Sequence, residues 1–360
     1  MKRLLAWVLL FLGLGGLGLT GVVGQSADTP PAAQKSEPVA GDTSGPLSSV
    51  ETARHRELAE SPVHSLHNEE LAEFLGLHER VLAANRQVRS GPEELAVLTR
   101  RTLGQPYRLN AARFDLAESD CVVFVERSLA LSLARDWSSY YRLSERLRHK
   151  DGVVDYRNRN FLTLGDWVPN NSLLLRDVSK ELGPATDRPA KTFTHVVRPK
   201  VFEEVRDEKT GVTRVIFKGS DYVSGKKEIR EDVLIPRERM ADVLPDLRTG
   251  DVVLVLRASA GGHMGCDHMG LIAVQPDGAV TLVHSVPSQV RQEPLTRFLD
   301  RCNWVLGLRF LRLRDNAADL AAAEVKRIEE SVKVPTPTEV ETDLATRRAA
   351  RAAQEAVLKP

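Results

Sequence analysis

Apolar positions recur along this chain in two rhythms, helical in the first half and strand-like in the second. Between residues 51 and 101, Leu71, Phe74, Leu75, Leu77 and Val81 fall on one side of a helical wheel. Ser90-Gly91-Pro92 interrupts that pattern before a further predicted helix over 93–103. After a Gly104-Gln105-Pro106-Tyr107 turn and an irregular loop to Ser119, Cys121 opens an apolar helical run through Val122, Val125, Leu129 and Leu133 to about Arg135. Another helix is predicted over 138–149. Residues 155–171 are polar and aromatic without a clear period, and read as a binding loop. Strand signals then dominate, over 193–198, 212–218, 228–235 and 251–257. Two more runs, 268–275 and 279–286, flank Pro276-Asp277-Gly278, a hairpin-turn signal, and 303–314 forms the last strand. The pattern predicts an α+β fold in which a cysteine-bearing helix packs on an antiparallel sheet or partial barrel, with helices before it.

The ends read differently. Lys2 and Arg3 precede an apolar run over 4–23, with Val22-Val23-Gly24 offering small residues for cleavage, so 1–24 reads as an export signal. The run is also close to the ~20 residues that span a bilayer, which keeps an uncleaved anchor open. Residues 25–50, rich in Pro, Ala, Ser, Thr and Gly, are expected to be a disordered linker. That leaves 51–314 as the main domain and 315–360 as a tail, a surface helix followed by disorder. An exported protein of the periplasm or cell envelope is expected, touching the membrane only through an N-terminal anchor. Lys plus Arg number 50 against 49 for Asp plus Glu, so no basic field recruits nucleic acid. The three cysteines, Cys121, Cys266 and Cys302, are too few for a disulfide scaffold in 360 residues. Cys266 and Cys302 read equally as a pair or as two buried thiols.

Cys121 sits where a thiol becomes reactive, because the dipole and free N–H groups of a helix start favour the thiolate. A nucleophile of this kind needs a base. If Pro276–Gly278 is a three-residue loop, Gln275 pairs with Ala279 and Gly270 lies opposite His284. His268 and His284 then become diagonal neighbours on one face, with Cβ atoms roughly 7 Å apart, within reach of one imidazole–imidazole hydrogen bond. The set is Cys121 as nucleophile, His268 as base and His284 as orienter, an acyl-transfer arrangement. The Cys121 N–H and the Tyr107 hydroxyl would face the oxyanion. Singly, each of these residues is as readily a buried thiol or a satisfied histidine; the combination carries the reading. His263, Cys266, Asp267 and His268 lie close together, but zinc sites use separated ligand pairs and no second pair follows. No metal and no cofactor is expected.

In this order Leu103-Gly104-Gln105-Pro106-Tyr107, Asp120-Cys121, His268-Met269-Gly270-Leu271-Ile272 and Leu282-Val283-His284-Ser285 resemble the NlpC-type papain-like cysteine hydrolases of bacterial cell walls. The N-acetylmuramoyl-L-alanine amidase-like branch is more similar still, through Phe124-Val125-Glu126, Leu129-Ala130-Leu131, the stretch from Arg159 to Asp166-Trp167, and Leu247-Arg248-Thr249-Gly250-Asp251. The resemblance covers roughly Leu71 to Leu313. It implies a papain-like core and a thiol amidase that cleaves peptidoglycan or its turnover fragments through a thioester. Cys121 corresponds to the nucleophile, His268 to the base, His284 to the third polar residue and Tyr107 to an active-site tyrosine. Val122-Val123 stands where the endopeptidase members carry Ser-Gly, which favours the N-acetylmuramoyl-L-alanine bond. A γ-D-glutamyl-diamino acid endopeptidase or acyltransferase of the same fold is one alternative, and a non-enzymatic wall-binding module another. Arg157 and Arg159 are candidates for a stem-peptide carboxylate and Trp167 for a sugar face, although a solvated arginine or a core tryptophan accounts for them equally. Asp120 is a candidate for substrate contact or for a helix cap alone.

Overall fold

Ser48 opens the first helix of the computed structural model with a reciprocal cap: its hydroxyl accepts from the Glu51 N–H, and the Glu51 carboxylate accepts from the Ser48 N–H. The structure describes residues 45–84, 91–207, 211, 213–258 and 264–357. The expected export segment (1–24) and most of the expected linker lie outside them; helix α1 (Ser49–Glu60) already begins within the linker's last residues. Among the described residues no helix is long and apolar enough to cross a membrane.

The chain divides into two units, one holding Val197–Glu228 and the other Asp42–Val196 with Ile229–Pro360. In the second, α1 is followed by α2 (Asn68–Ala84), α3 (Gly91–Arg101), α4 (Cys121–Leu133) and α5 (Trp137–Arg148). The first three are tied by a polar chain in which His55 Nε2 lies 3.1 Å from His78 Nδ1 and His78 Nε2 lies 3.0 Å from Glu94 Oε1. His55 and His78 stack on each other and on Phe74.

The eight-stranded sheet runs β2 (Lys191–Val197), β5 (Glu228–Pro236), β10 (Gly307–Leu313), β6 (Val252–Ala258), β7 (Met264–Val274), β8 (Val280–Ser285), β9 (Val290–Pro294), with β1 (Leu175–Asp177) also on β10. Strand β6 shows why the sheet is central. Val252, Leu254 and Leu256 enter a core shared with the helices, while Val253 and Val255 enter a second core on the opposite face with Phe298 and Leu299. A strand buried on both faces reads as an unbroken apolar run, as Val252-Val253-Leu254-Val255-Leu256 does. Phe298 and Leu299 belong to α7 (Leu295–Arg301), which follows a single turn, α6 (Val168–Asn171), in the helix count. The other unit is a hairpin of β3 (Lys200–Arg206) and β4 (Thr213–Ser220), with a register break between Val201 and Phe202.

Residues 155–171, expected to be a binding loop, instead send Leu164, Trp167 and Asn171 into the interior. The C-terminal tail also departs from expectation. After α8 (Ala317–Arg327), α9 (Pro337–Val357) is helical where disorder was expected. Thr336 and Glu339 cap it reciprocally, and Val340 and Leu344 are buried. Glu341 accepts from the backbone and the side chain of Asn68 at 2.8 Å.

Candidate active site

Asp120 is the N-cap of α4: its carboxylate accepts from the Val123 N–H at 2.8 Å. Such a cap is worth about 1 kcal/mol and leaves Cys121 as the first helical residue. Behind it Val123, Phe124 and Val125 are buried, so the helix start is fixed by the core as well as by the cap. The approach to Cys121 is bonded to the strands that carry the histidines. Gly104 N–H donates to the Val290 carbonyl, Val290 N–H to Gln105, and Tyr107 N–H to Ser288. The Ser119 hydroxyl donates to Gln105 Oε1 at 2.8 Å, and the Ser285 hydroxyl, one residue past His284, donates to the Ser119 carbonyl at 2.8 Å. Gln105 of the Gly-Gln-Pro-Tyr turn is therefore a structural link between the loop that leads to Cys121 and the strands that carry the histidines.

The hairpin has the expected register. Leu271 pairs with Val283 and Val274 with Val280, and the Gln275 N–H donates to the Ala279 carbonyl. His268 Nε2 lies 2.9 Å from His284 Nδ1. Gly270 is required at the crossing, because a Cβ there would come within 2.7 Å of the Val283 carbonyl and 3.0 Å of His284 Cβ. The sequence did not announce the bulge just before His268: Val255 faces His268 while Leu256 faces Cys266, which leaves Asp267 as the extra residue. Bulges of this kind re-aim side chains next to active sites. Phe298 sits edge-on to His284, with ring centroids 5.4 Å apart, and holds the pair from behind.

Backbone N–H groups of Val122 and of Met269, the residue after His268, point at the Cys121 sulfur. His268 uses Nε2 on His284 Nδ1, and His284 uses Nε2 on Glu293, so neither bond engages His268 Nδ1. The electrostatics run against the expectation of a helix-activated thiolate. Burial, reinforced by Asp120, pushes the Cys121 thiol up to about 12 and outweighs the backbone donors. Burial holds His268 and His284 down to about 3. Near neutral pH the site thus contains a thiol and two neutral imidazoles. Tyr107, raised to about 12 by burial and by the neighbouring Cys121 and Asp120, remains a neutral donor.

The remaining candidates separate. Trp167 is only 1% exposed and donates its indole N–H to Glu126 Oε1 at 3.0 Å, so it belongs to the core and cannot offer a face to a sugar. Arg159 places its guanidinium 5.0 Å from the Phe161 ring centre, and burial, with Arg148 nearby, lowers it to about 10. Arg157 is exposed. Cys121, Cys266 and Cys302 are all free thiols, which leaves Cys266 and Cys302 unpaired. Among the described residues no group of three His, Cys, Asp or Glu side chains is arranged to hold a metal. The residue that the sequence reading missed is Glu293 on β9, 2.9 Å from His284 Nε2. Leu282 pairs with Glu293 and His284 with Arg291, so Glu293 is a diagonal neighbour of His284, as His284 is of His268. The same register arithmetic across the next hairpin finds it only once the register of that turn is known, and Val286-Pro287-Ser288-Gln289 does not fix it in advance.

Residues 99–305 of this α+β chain match the model of a family of amidase-like proteins. The chain belongs to the AmiA-like, N-acetylmuramoyl-L-alanine amidase-like family. A crystal structure of a Legionella pneumophila protein of the DUF1460 family superimposes with a TM-score of 0.54 at 15% identity, covering 68% of this chain and 95% of that one. A crystal structure of an N-acetylmuramoyl-L-alanine amidase from Bacteroides uniformis gives a TM-score of 0.47 at 21% identity, covering 62% of this chain and 99% of that one. No curated protein matches the sequence.

Proposed function

We propose that this protein is a cysteine amidase that hydrolyses the N-acetylmuramoyl-L-alanine bond of peptidoglycan or its fragments. The observation that carries the reading is the hydrogen-bonded His268–His284 pair beside a cysteine at a helix start, in a chain of this family. As the Cys121 sulfur attacks the lactyl carbonyl, its proton passes to His268 Nδ1. The Cys121 N–H, one of the first-turn donors without an intrahelical partner, and the Tyr107 hydroxyl face the developing oxyanion. His268 then protonates the departing L-alanine amine, leaving a thioester. Water loses a proton to His268 as it attacks the thioester, which releases the muramoyl acid and restores the thiol.

With a defined muropeptide, the protein should release a peptide whose L-alanine amine is free, as read by mass spectrometry. Cys121→Ala should lower that release by more than about 10³-fold while circular dichroism stays unchanged. Undiminished turnover by the variant would reject the mechanism. Cleavage after D-glutamate would assign the other bond.

A further inference from the structure

We propose that Glu293 sets the tautomers of both active-site histidines and thereby determines which nitrogen of His268 acts as the base. This rests on the reading of Cys121, His268 and His284 as the reacting set. Three donors converge on Glu293 Oε1: His284 Nε2 at 2.9 Å, Arg291 Nη2 at 3.0 Å and Arg301 Nη2 at 2.7 Å. An ionised carboxylate only accepts, so His284 must carry its proton on Nε2. A neutral imidazole has one N–H, which leaves His284 Nδ1 bare. That nitrogen lies 2.9 Å from His268 Nε2, so His268 must donate from Nε2, and its lone pair falls on Nδ1. One carboxylate thus dictates, through two rings, that the nitrogen left for Cys121 is the basic one. Glu293 is itself fixed, being buried on β9 opposite Leu282.

Removing Glu293 would do more than loosen a ring. Arg291 and Arg301 can only donate. Without the carboxylate they become the polar groups nearest His284 Nε2, so the favoured proton position moves to His284 Nδ1. His268 must then accept at Nε2 and carry its proton on Nδ1, where it meets the Cys121 S–H as a second donor. Glu293 is on this account a positioning residue that acts through His284.

The test uses the whole protein labelled with ¹⁵N-histidine. Long-range ¹H–¹⁵N correlation near neutral pH should show Nε2–H at both His268 and His284, and Nδ1–H at both in Glu293→Ala. On a muropeptide, Glu293→Ala should lose on the order of 10³-fold in kcat with KM nearly unchanged. Glu293→Gln keeps an acceptor oxygen and should retain the wild-type tautomers and most of the rate. Unchanged tautomers in Glu293→Ala, or a tautomer switch without loss of rate, would overturn the proposal. If Glu293→Ala does not fold, Nδ1–H at His268 in the wild-type protein or in Glu293→Gln would overturn it equally. The tautomer readout needs no substrate. A protein that shows the predicted tautomers and leaves muropeptides intact would therefore refute the proposed activity and not the relay.

Discussion

Trp167 shows how one aromatic side chain can be placed in two opposite settings from the same letters. In a polar stretch without periodicity it suggested a carbohydrate platform, yet its indole N–H satisfies Glu126, whose other oxygen lies 3.1 Å from Arg148 Nε. Trp167→Phe should therefore cost about 1–3 kcal/mol, measured by urea unfolding, because a buried carboxylate loses a donor. KM for a muropeptide should stay within about twofold on the same argument; a large rise in KM would return Trp167 to the substrate. The contact between His268 and His284 was legible because hairpin arithmetic is local. The charge state of Cys121 was not legible, since burial acts through the whole surrounding structure and here overrides the helix terminus. Glu293 escaped notice because Val286-Pro287-Ser288-Gln289 lacks the Gly or Asn signal that fixes a hairpin register in advance.

The loop that leads into α4 is held from inside and from outside the family-matched segment. Arg127 of α4 gathers the carbonyls of Arg113, Asp115 and Glu118 with one guanidinium nitrogen. Helix α9 grips the same loop from the other direction, through Arg348 to Asp115 and Arg351 to Glu118 at 2.8 Å. Both arginines are substantially exposed, so each ion pair contributes no more than about 1 kcal/mol after solvent screening. Arg348→Ala combined with Arg351→Ala should accordingly cost little stability but speed hydrogen exchange over residues 111–119. Unaltered exchange there would show that α9 does not restrain the loop. The tail misled because an Ala, Glu and Arg rich run fits a solvated segment as well as a docked helix; Val340 and Leu344 are the buried residues that decide between them. Strands β1 and β9 were missed for other reasons, one being three residues long and the other mostly polar.

For the molecule as a whole, burial of histidines predicts acid sensitivity in a definite window. His55, His64, His268 and His284 are all lowered from 6.5, with burial the largest cause for each. A group whose folded value is depressed binds fewer protons when folded, so its contribution is complete above 6.5 and is lost as pH falls toward the folded value. The thermal midpoint should therefore decline already between pH 7 and 4.5, above the range in which most carboxylates titrate. A flat midpoint across that interval would contradict it. The α+β class and the central apolar strand were readable from periodicity, whereas the two cores on either side of the sheet depend on which long-range pairs form.

The chain from His55 through His78 to Glu94 repeats the atomic sequence of the active-site relay, Nε2 to Nδ1 and then Nε2 to a carboxylate oxygen. It lies on helices, and its rings stack on Phe74 rather than serving a thiol. The protein thus carries a built-in reference for its own spectroscopy. His55 and His78 should report the same tautomers as His268 and His284 in the wild type, and should keep them when Glu293 is replaced. A local change at the relay can in this way be told from a general disturbance of the protein within a single spectrum.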